Sequence, residues 1–229
     1  VIVIPMAGRS QRFFDAGYTV PKYMLDLNGR SVFANAVGSF EAEFRRRPFL
    51  FITAGDNDGF VRHEAERLGI EDSRVVGLDG PTAGQAETVE RGLGGHDGPL
   101  TIFNIDTFRP GFTFPGGLFD DADGWLEVFR GSGANWSYVK PASGPEPWAI
   151  ETAEKKPISD LCCTGLYHFA RAADFRAALS AEREAPPGSR ALCRPALQPP
   201  HPRRPPDRLA RDRPFRGGLL RHACRIRGA

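Results

Sequence analysis

At 229 residues, 41% of them hydrophobic and 25% charged, the chain has the size and composition of one globular domain with at most a small annex. No apolar run approaches the ~20 residues of a membrane helix, and the four cysteines lack metal-ligand spacing, so a reducing cytoplasm is the expected setting. The net charge of +2 conceals an imbalance: residues 191–229 hold ten Arg and two Asp without Lys or Glu, a net of +8 that leaves −6 on residues 1–190, and this excludes a nucleic-acid partner argued from overall basicity.

"VIVIP" (1–5) reads as a short buried strand, and because it opens at Val1, residues ahead of it are expected in the natural protein. The loop that follows carries Arg9, Arg12 and a Pro21-Lys22 pair, more positive charge than a connector needs. "SVFANAVGSFEAEF" (31–44) sets Val32, Phe33, Ala36, Val37, Phe40 and Phe44 at helical spacing, with Ser31 as N-cap. Strands at 48–54, 73–78 and 99–106 then alternate with helices at 57–69 and 82–95. That alternation predicts an α/β unit with a parallel sheet whose ligand lies beyond the carboxyl ends of the strands. From residue 107 the pattern changes to aromatic-rich strands at 124–131, 134–141, 146–156 and 162–170, a mixed or antiparallel extension closed by a helix at 171–184.

From about Gly188 the chain lacks Val, Tyr and Trp and is crowded with Arg and Pro. Proline at this density breaks helices and ladders alike. One reading is a disordered basic tail. The other is a frameshift near residue 188: back-translated and read one nucleotide later, "ALCRPALQ" permits a string of ordinary folded character, as does "LRHACRIR". The expected organisation is therefore a domain over 1–187 and an anomalous tail over 188–229.

Several stretches carry a family resemblance. "PMAGRSQRFFDAGYTVPKYML" resembles the signature loop of the sugar-phosphate nucleotidylyltransferases, whose usual form is Gly-x-Gly-x-Arg followed by Pro-Lys. "TAGQA", "FNID", "AEKKPISD" and "TGLYHF" follow in that family's order, over about residues 1–180, and the likeness is nearest to its short capsule-biosynthesis branch. The resemblance implies a Rossmann-like three-layer α/β/α fold of GT-A-like type with a mixed, mainly parallel sheet. Residues up to about 106 would form the nucleotide-binding half and 107–187 the acceptor-binding half. The implied reaction moves NMP from an NTP to a phosphorylated small molecule, first of all a sugar 1-phosphate, with release of pyrophosphate and with Mg²⁺ as cofactor.

The chemistry suits these residues. Joining two polyanions calls for positioning and charge stabilisation above all. Small Ala7 and Gly8 let backbone N–H groups approach a triphosphate. By resemblance Arg12 holds the leaving pyrophosphate, Lys22 neutralises charge near the α-phosphate, and Asp106 is the Mg²⁺ ligand, with a second carboxylate not placed. Gly84 and Gln85 would contact the base, although Thr82 and Gln85 also have the spacing of a capping box. Lys155 would take the acceptor phosphate, and Thr164 and Gly165 would line the acceptor pocket. Ser10, a nucleotide-binding position by resemblance, departs from the pattern by standing where the family has its second glycine; a serine held there at positive φ would be strained, so either the loop geometry differs or Ser10 donates a hydrogen bond. An ionised acceptor phosphate needs no general base, so His168 reads as a strand histidine; Trp136, Tyr138 and Trp148 read as packing residues.

Two rival readings remain at this level: a GT-A-type glycosyltransferase using a nucleotide-sugar donor, and an inactive nucleotide-binding fragment. The first commonly shows Asp-x-Asp after the fourth strand, where this chain has Asn104-Ile105-Asp106. The expected partners are an NTP and the acceptor, with no membrane; an oligomer is compatible with the sequence.

Overall fold

A computed structural model describes residues 1–114, 123–143 and 148–184, and the backbone of 208–211. The chain runs β1 (Ile2–Pro5), α1 (Gln11–Phe14), a hairpin of β2 (Asp26–Leu27) and β3 (Arg30–Ser31), α2 (Val32–Val37) and β4 (Phe49–Thr53). Next come α3 (Asp58–Leu68), β5 (Ser73–Gly77), α4 (Gln85–Leu93) and β6 (Leu100–Phe103). It continues with β7 (Gly124–Arg130), β8 (Ser137–Pro141), β9 (Ala149–Glu154), β10 (Leu161–Phe169), α5 (Ala172–Glu184) and β11 (Arg208–Arg211). No helix among the described residues is long and apolar enough to cross a membrane.

β5, β4, β1 and β6 lie side by side in that order, all parallel. The sheet therefore grows outward from β1 to β5 and then reverses to lay β6 on the free side of β1. A right-handed crossover on each side of such a reversal puts helices on opposite faces. Alternating residues show it: Ile2 and Ile4 pack with Phe33 and Ala36 of α2 and Val61 and Ala65 of α3, whereas Val3 packs with Val89 and Leu93 of α4 and Phe175 and Leu179 of α5. α4 comes so near β4 that a Cβ on Gly92 would stand 2.9 Å from Ile52 Cγ2.

The second half is antiparallel, as its turn-punctuated pattern predicts. β10 pairs with β6 on one side and β7 on the other, its far end reaches β8, and β8 carries β9. One mixed sheet thus spans both halves, in the three-layer arrangement expected. Within the anomalous tail, Arg208–Arg211 is a strand parallel to β7 where the sequence reading expected no regular structure; the remainder of 188–229 lies outside the described residues.

Three local expectations are corrected. The helix expected over 31–44 is α only to Val37, and Gly38–Glu43 follows as a tighter 3-10 segment. Phe40 leaves helical geometry (φ −105°, ψ 25°) and packs edge-on to Phe103 and Phe112, so tertiary packing overrides the period. Ser31 does cap α2, accepting a 3.0 Å bond from the Ala34 N–H. The fourth strand ends at Phe103 and not at Asp106, leaving Asn104, Ile105 and Asp106 in the turn beyond it. The β2–β3 hairpin, turned by Asn28 (φ 58°) and Gly29 (φ 79°), was not expected.

Candidate active site

The reversal of strand order at β1 opens a crevice beyond the carboxyl ends of β1 and β6, and crevices of this kind are where open α/β sheets bind ligands. Both strand ends are followed by the loops the sequence singled out. The loop after β1 returns to the crevice at Lys22, which opens a 3-10 turn behind Pro21, and the turn after β6 brings Asp106 to it. Their side chains meet, Lys22 Nζ lying 2.6 Å from Asp106 Oδ2. Eighty-four residues separate the two along the chain.

Two clefts adjoin this pair, both lined by Pro5, Gly8, Arg9, Lys22, Ile105 and Asp106. The first, of about 350 Å³, adds Ala7, Gly84, Gln85 and Asn104. The second, of about 740 Å³, adds Ser10, Arg12, Tyr23 and Phe108. A Cβ on Gly8 would meet nothing within 4 Å, so the backbone there is bare for close approach. Arg9, given no role from its sequence position, lines both clefts; neither Arg9 nor Arg12 forms an ion pair among the described residues.

Ser10 sits in the left-handed region, φ 49° and ψ 23°, where the resemblance places a glycine. Its carbonyl accepts from the Phe13 N–H at 2.8 Å and opens α1, and its hydroxyl accepts from the Lys22 backbone N–H at 3.3 Å. The expected strain is therefore present, and the serine hydroxyl ties the start of the loop to its end.

The capping box proposed for Thr82 and Gln85 does not form. Gly84 is the N-cap, and Glu87 reaches back to accept from the Ala83 N–H at 2.7 Å. Gln85 is left to donate through Nε2 to Asn104 Oδ1 at the edge of the first cleft.

None of the three residues expected at the acceptor lines these two clefts. Thr164 Oγ1 donates to Glu127 Oε2 at 2.8 Å, and its carbonyl accepts from Thr107 Oγ1 at 3.1 Å. Gly165 lies under the Asn104 side chain. Lys155 lines neither cleft: it has left-handed backbone (φ 56°) on the hairpin side of the sheet and pairs with Glu154 at 3.3 Å. Thr164 and Gly165 therefore brace the turn that carries Asp106. Sequence reasoning missed their partners. Arg109 grips Glu127 through Nε at 2.9 Å and Nη2 at 2.5 Å, with the Glu127 side chain 6% exposed. A lone Glu in an apolar strand was the available signal, since a buried carboxylate requires a cation.

Among the described residues, Asp106 is the one carboxylate lining these two clefts, and no cluster of three His, Cys, Asp or Glu able to hold a metal occurs. That suits Mg²⁺, which commonly takes one or two protein carboxylates and draws its other ligands from phosphates and water. His168 is buried between β6 and β7: its Nδ1 shares a 2.9 Å hydrogen bond with Thr101 Oγ1, its ring stacks on Trp125, and burial pushes its pKa down to about 3. It is a packed strand histidine, as expected.

No protein-family model matches the chain, and no curated protein does. Among solved structures it is similar to a nucleoside-diphosphate-sugar pyrophosphorylase from Vibrio cholerae RC9, with 50% identity, 81% of this chain and 80% of that one covered, and a TM-score of 0.77. A UDP-glucose pyrophosphorylase complexed with UDP-glucose (15% identity, 82% and 80% covered, TM-score 0.59) shares the fold. So does the inositol-1-phosphate CTP transferase from T. maritima (15% identity, 74% and 69% covered, TM-score 0.57). With half its residues identical to the Vibrio protein over most of both chains, and with the crevice where the fold puts its ligands, the chain belongs to the nucleoside-diphosphate-sugar pyrophosphorylase family.

Proposed function

We propose that the protein transfers NMP from an NTP to a phosphorylated small molecule, a sugar 1-phosphate before a phosphoalcohol, and releases pyrophosphate. The single observation that carries this reading is the 2.6 Å contact of Lys22 with Asp106 between two clefts that also hold Arg9, Arg12 and Gln85. The first cleft, edged by Gly84 and Gln85, suits the nucleoside; the second, with Ser10 and Arg12, suits the pyrophosphate end.

An acceptor phosphate oxygen attacks the α-phosphorus, a new P–O bond forms, and the electron pair of the breaking bond leaves on pyrophosphate. Asp106 would hold Mg²⁺, which would supply charge neutralisation when bound. The chain supplies the rest. Backbone N–H groups at Ala7 and Gly8 orient the phosphates, and Lys22 stabilises charge growing at the α-phosphate. Arg9 and Arg12, without competing ion pairs among the described residues, hold the departing pyrophosphate. Neutral, buried His168 takes no part, because the attacking oxygen carries no proton to remove. By the resemblance we assign the protein to the capsule-polysaccharide branch, and from its composition and back-translation we read the tail beyond about residue 188 as a frameshift, which sequencing of the coding DNA tests.

Pyrophosphate release, measured with each NTP against a panel of sugar 1-phosphates and phosphoalcohols in Mg²⁺, tests the activity. The expected outcome is release with one NTP and one acceptor class. Nucleotide binding without release for every pair overturns it in favour of an inactive module.

A further inference from the structure

Gln85 is a long side chain at the first position of α4, and unheld it would sample many rotamers and both faces of its amide. It is held. Its Nε2 donates to Asn104 Oδ1, and Asn104 is itself fixed at both backbone ends, donating to the Gly165 carbonyl at 3.1 Å and accepting from the Thr107 N–H at 3.3 Å. Beneath the Asn104 side chain lies Gly165. A Cβ there would stand 2.7 Å from Asn104 Cγ, and φ at Gly165 is +96°, so glycine alone leaves Asn104 its place.

The direction of this hydrogen bond has a chemical consequence. With Nε2 committed to Asn104, the Gln85 amide keeps its Oε1 acceptor and its second N–H in one fixed order. The Watson–Crick edges of uracil or thymine and of cytosine differ by just such an exchange: the first offers a carbonyl beside an N–H, the second an amino group beside a bare ring nitrogen. An amide locked in one order favours one class, whereas an amide free to flip accepts both.

We propose that Asn104 and Gly165 are specificity-determining positions for the pyrimidine base, acting as positioning residues through Gln85. This rests on the reading of Gln85 as the base contact. It also moves Gly165 from the acceptor side, where the sequence put it, to the nucleotide side.

Calorimetric dissociation constants for UTP, dTTP and CTP, with a sugar 1-phosphate titrated separately, test the idea without requiring turnover. The wild type is expected to discriminate between the uracil–thymine and cytosine classes by about tenfold or more. Asn104→Ala brings that ratio close to one while leaving acceptor affinity unchanged. Asn104→Asp, whose carboxylate can only accept from Gln85 Nε2, restores the ratio, which a merely structural role would not do. Gly165→Ala behaves as Asn104→Ala if it folds, and the Asn104 pair decides the matter if it does not. A wild-type ratio near one, an unchanged ratio in Asn104→Ala, or a loss confined to acceptor affinity overturns the inference. Gln85→Ala separates the two readings: an unchanged base preference there refutes Gln85 as base contact, whereas a flattened preference there but not in Asn104→Ala refutes only the role of Asn104 and Gly165.

Discussion

The two halves of the sheet treat their polar residues differently. In the parallel half, chemistry-bearing side chains leave from strand ends into the crevice: Lys22 after β1, Gln85 after β5 and Asp106 after β6. In the antiparallel half, polar residues point inward to one another, as Glu127 on β7 does to Arg109 and to Thr164 on β10. Parallel strands with crossovers gather their ends at one edge, so a site can be assembled from residues far apart in sequence. The antiparallel strands behave as a buttress that holds the turn of residues 104–109 in place.

The sharpest way to break this division is at the crevice. Lys22→Ala is expected to cut turnover by about 10²-fold or more, the scale for removing one preorganised charge from a phosphoryl-transfer site, with thermal unfolding little changed. Steady-state pyrophosphate release and a melting curve check both halves of that statement. Unchanged turnover would remove Lys22 from the mechanism. A large fall in melting temperature would instead make the Lys22–Asp106 contact structural.

The converse test lies in the buttress. Glu127→Gln keeps the shape and one acceptor but removes the charge that Glu127 sets against the Arg109 guanidinium, 15% exposed. Breaking a buried pair from one side is expected to cost about 3 kcal/mol, the low end of the range because Arg109 also lies over the Phe112 ring. Denaturant unfolding measures the loss. Activity should fall as well, through displacement of Asp106, and should recover in Glu127→Asp more than in Glu127→Gln if charge is what matters.

The contrast also explains what could be read in advance. Strand and helix alternation over 1–106 and the turn-punctuated strands beyond it are written in periodicity, and apart from the 31–44 helix, the end of the fourth strand and the β2–β3 hairpin the elements lie where that periodicity predicts. Ala7 and Gly8, picked out as small residues beside a strand end, and Arg12, Lys22 and Asp106, picked out by the family resemblance, all line the clefts. The contacts of Thr164 and Gly165 with Glu127 and Asn104 were not legible, because they are set by register across β7, β10 and β6, and no single-chain spacing records a register. The end of the fourth strand was misjudged for a related reason: Asn104 donates to the Gly165 carbonyl at the β10 irregularity, so the ladder stops short of Asp106.

The seam between the halves should be sensitive to acid. His168 on β10 faces Thr101 of β6 and Trp125 of β7, and burial, with the Arg47 charge adding to it, lowers its pKa from 6.5 to about 3. Between those values the unfolded chain binds a proton that the native chain refuses. Stability is therefore full above pH 6.5 and falls as the pH drops towards 3, by up to about 1.4 kcal/mol per pH unit from this group. Denaturant midpoints at a series of pH values in the wild type and in His168→Gln measure it. The variant should lose the His168 part of the slope; identical slopes would refute a buried neutral histidine.

The smallest expected effect bears on how the phosphate loop is built. Ser10 adopts a left-handed conformation that costs a non-glycine residue about 1 kcal/mol, offset in part by the 3.3 Å bond its hydroxyl accepts from Lys22. Ser10→Ala keeps the strain and loses the bond, and should destabilise by about 0.5–1 kcal/mol. Ser10→Gly relieves the strain, loses the same bond and adds freedom to the unfolded chain, so its net effect should lie within about 0.5 kcal/mol of zero. The order Gly above Ala in melting temperature is the informative quantity, since it isolates backbone strain from the hydroxyl. If alanine equals glycine, the left-handed turn is not maintained in solution. The geometry that ties Ser10 to Lys22 would then have to form only when an anion is bound.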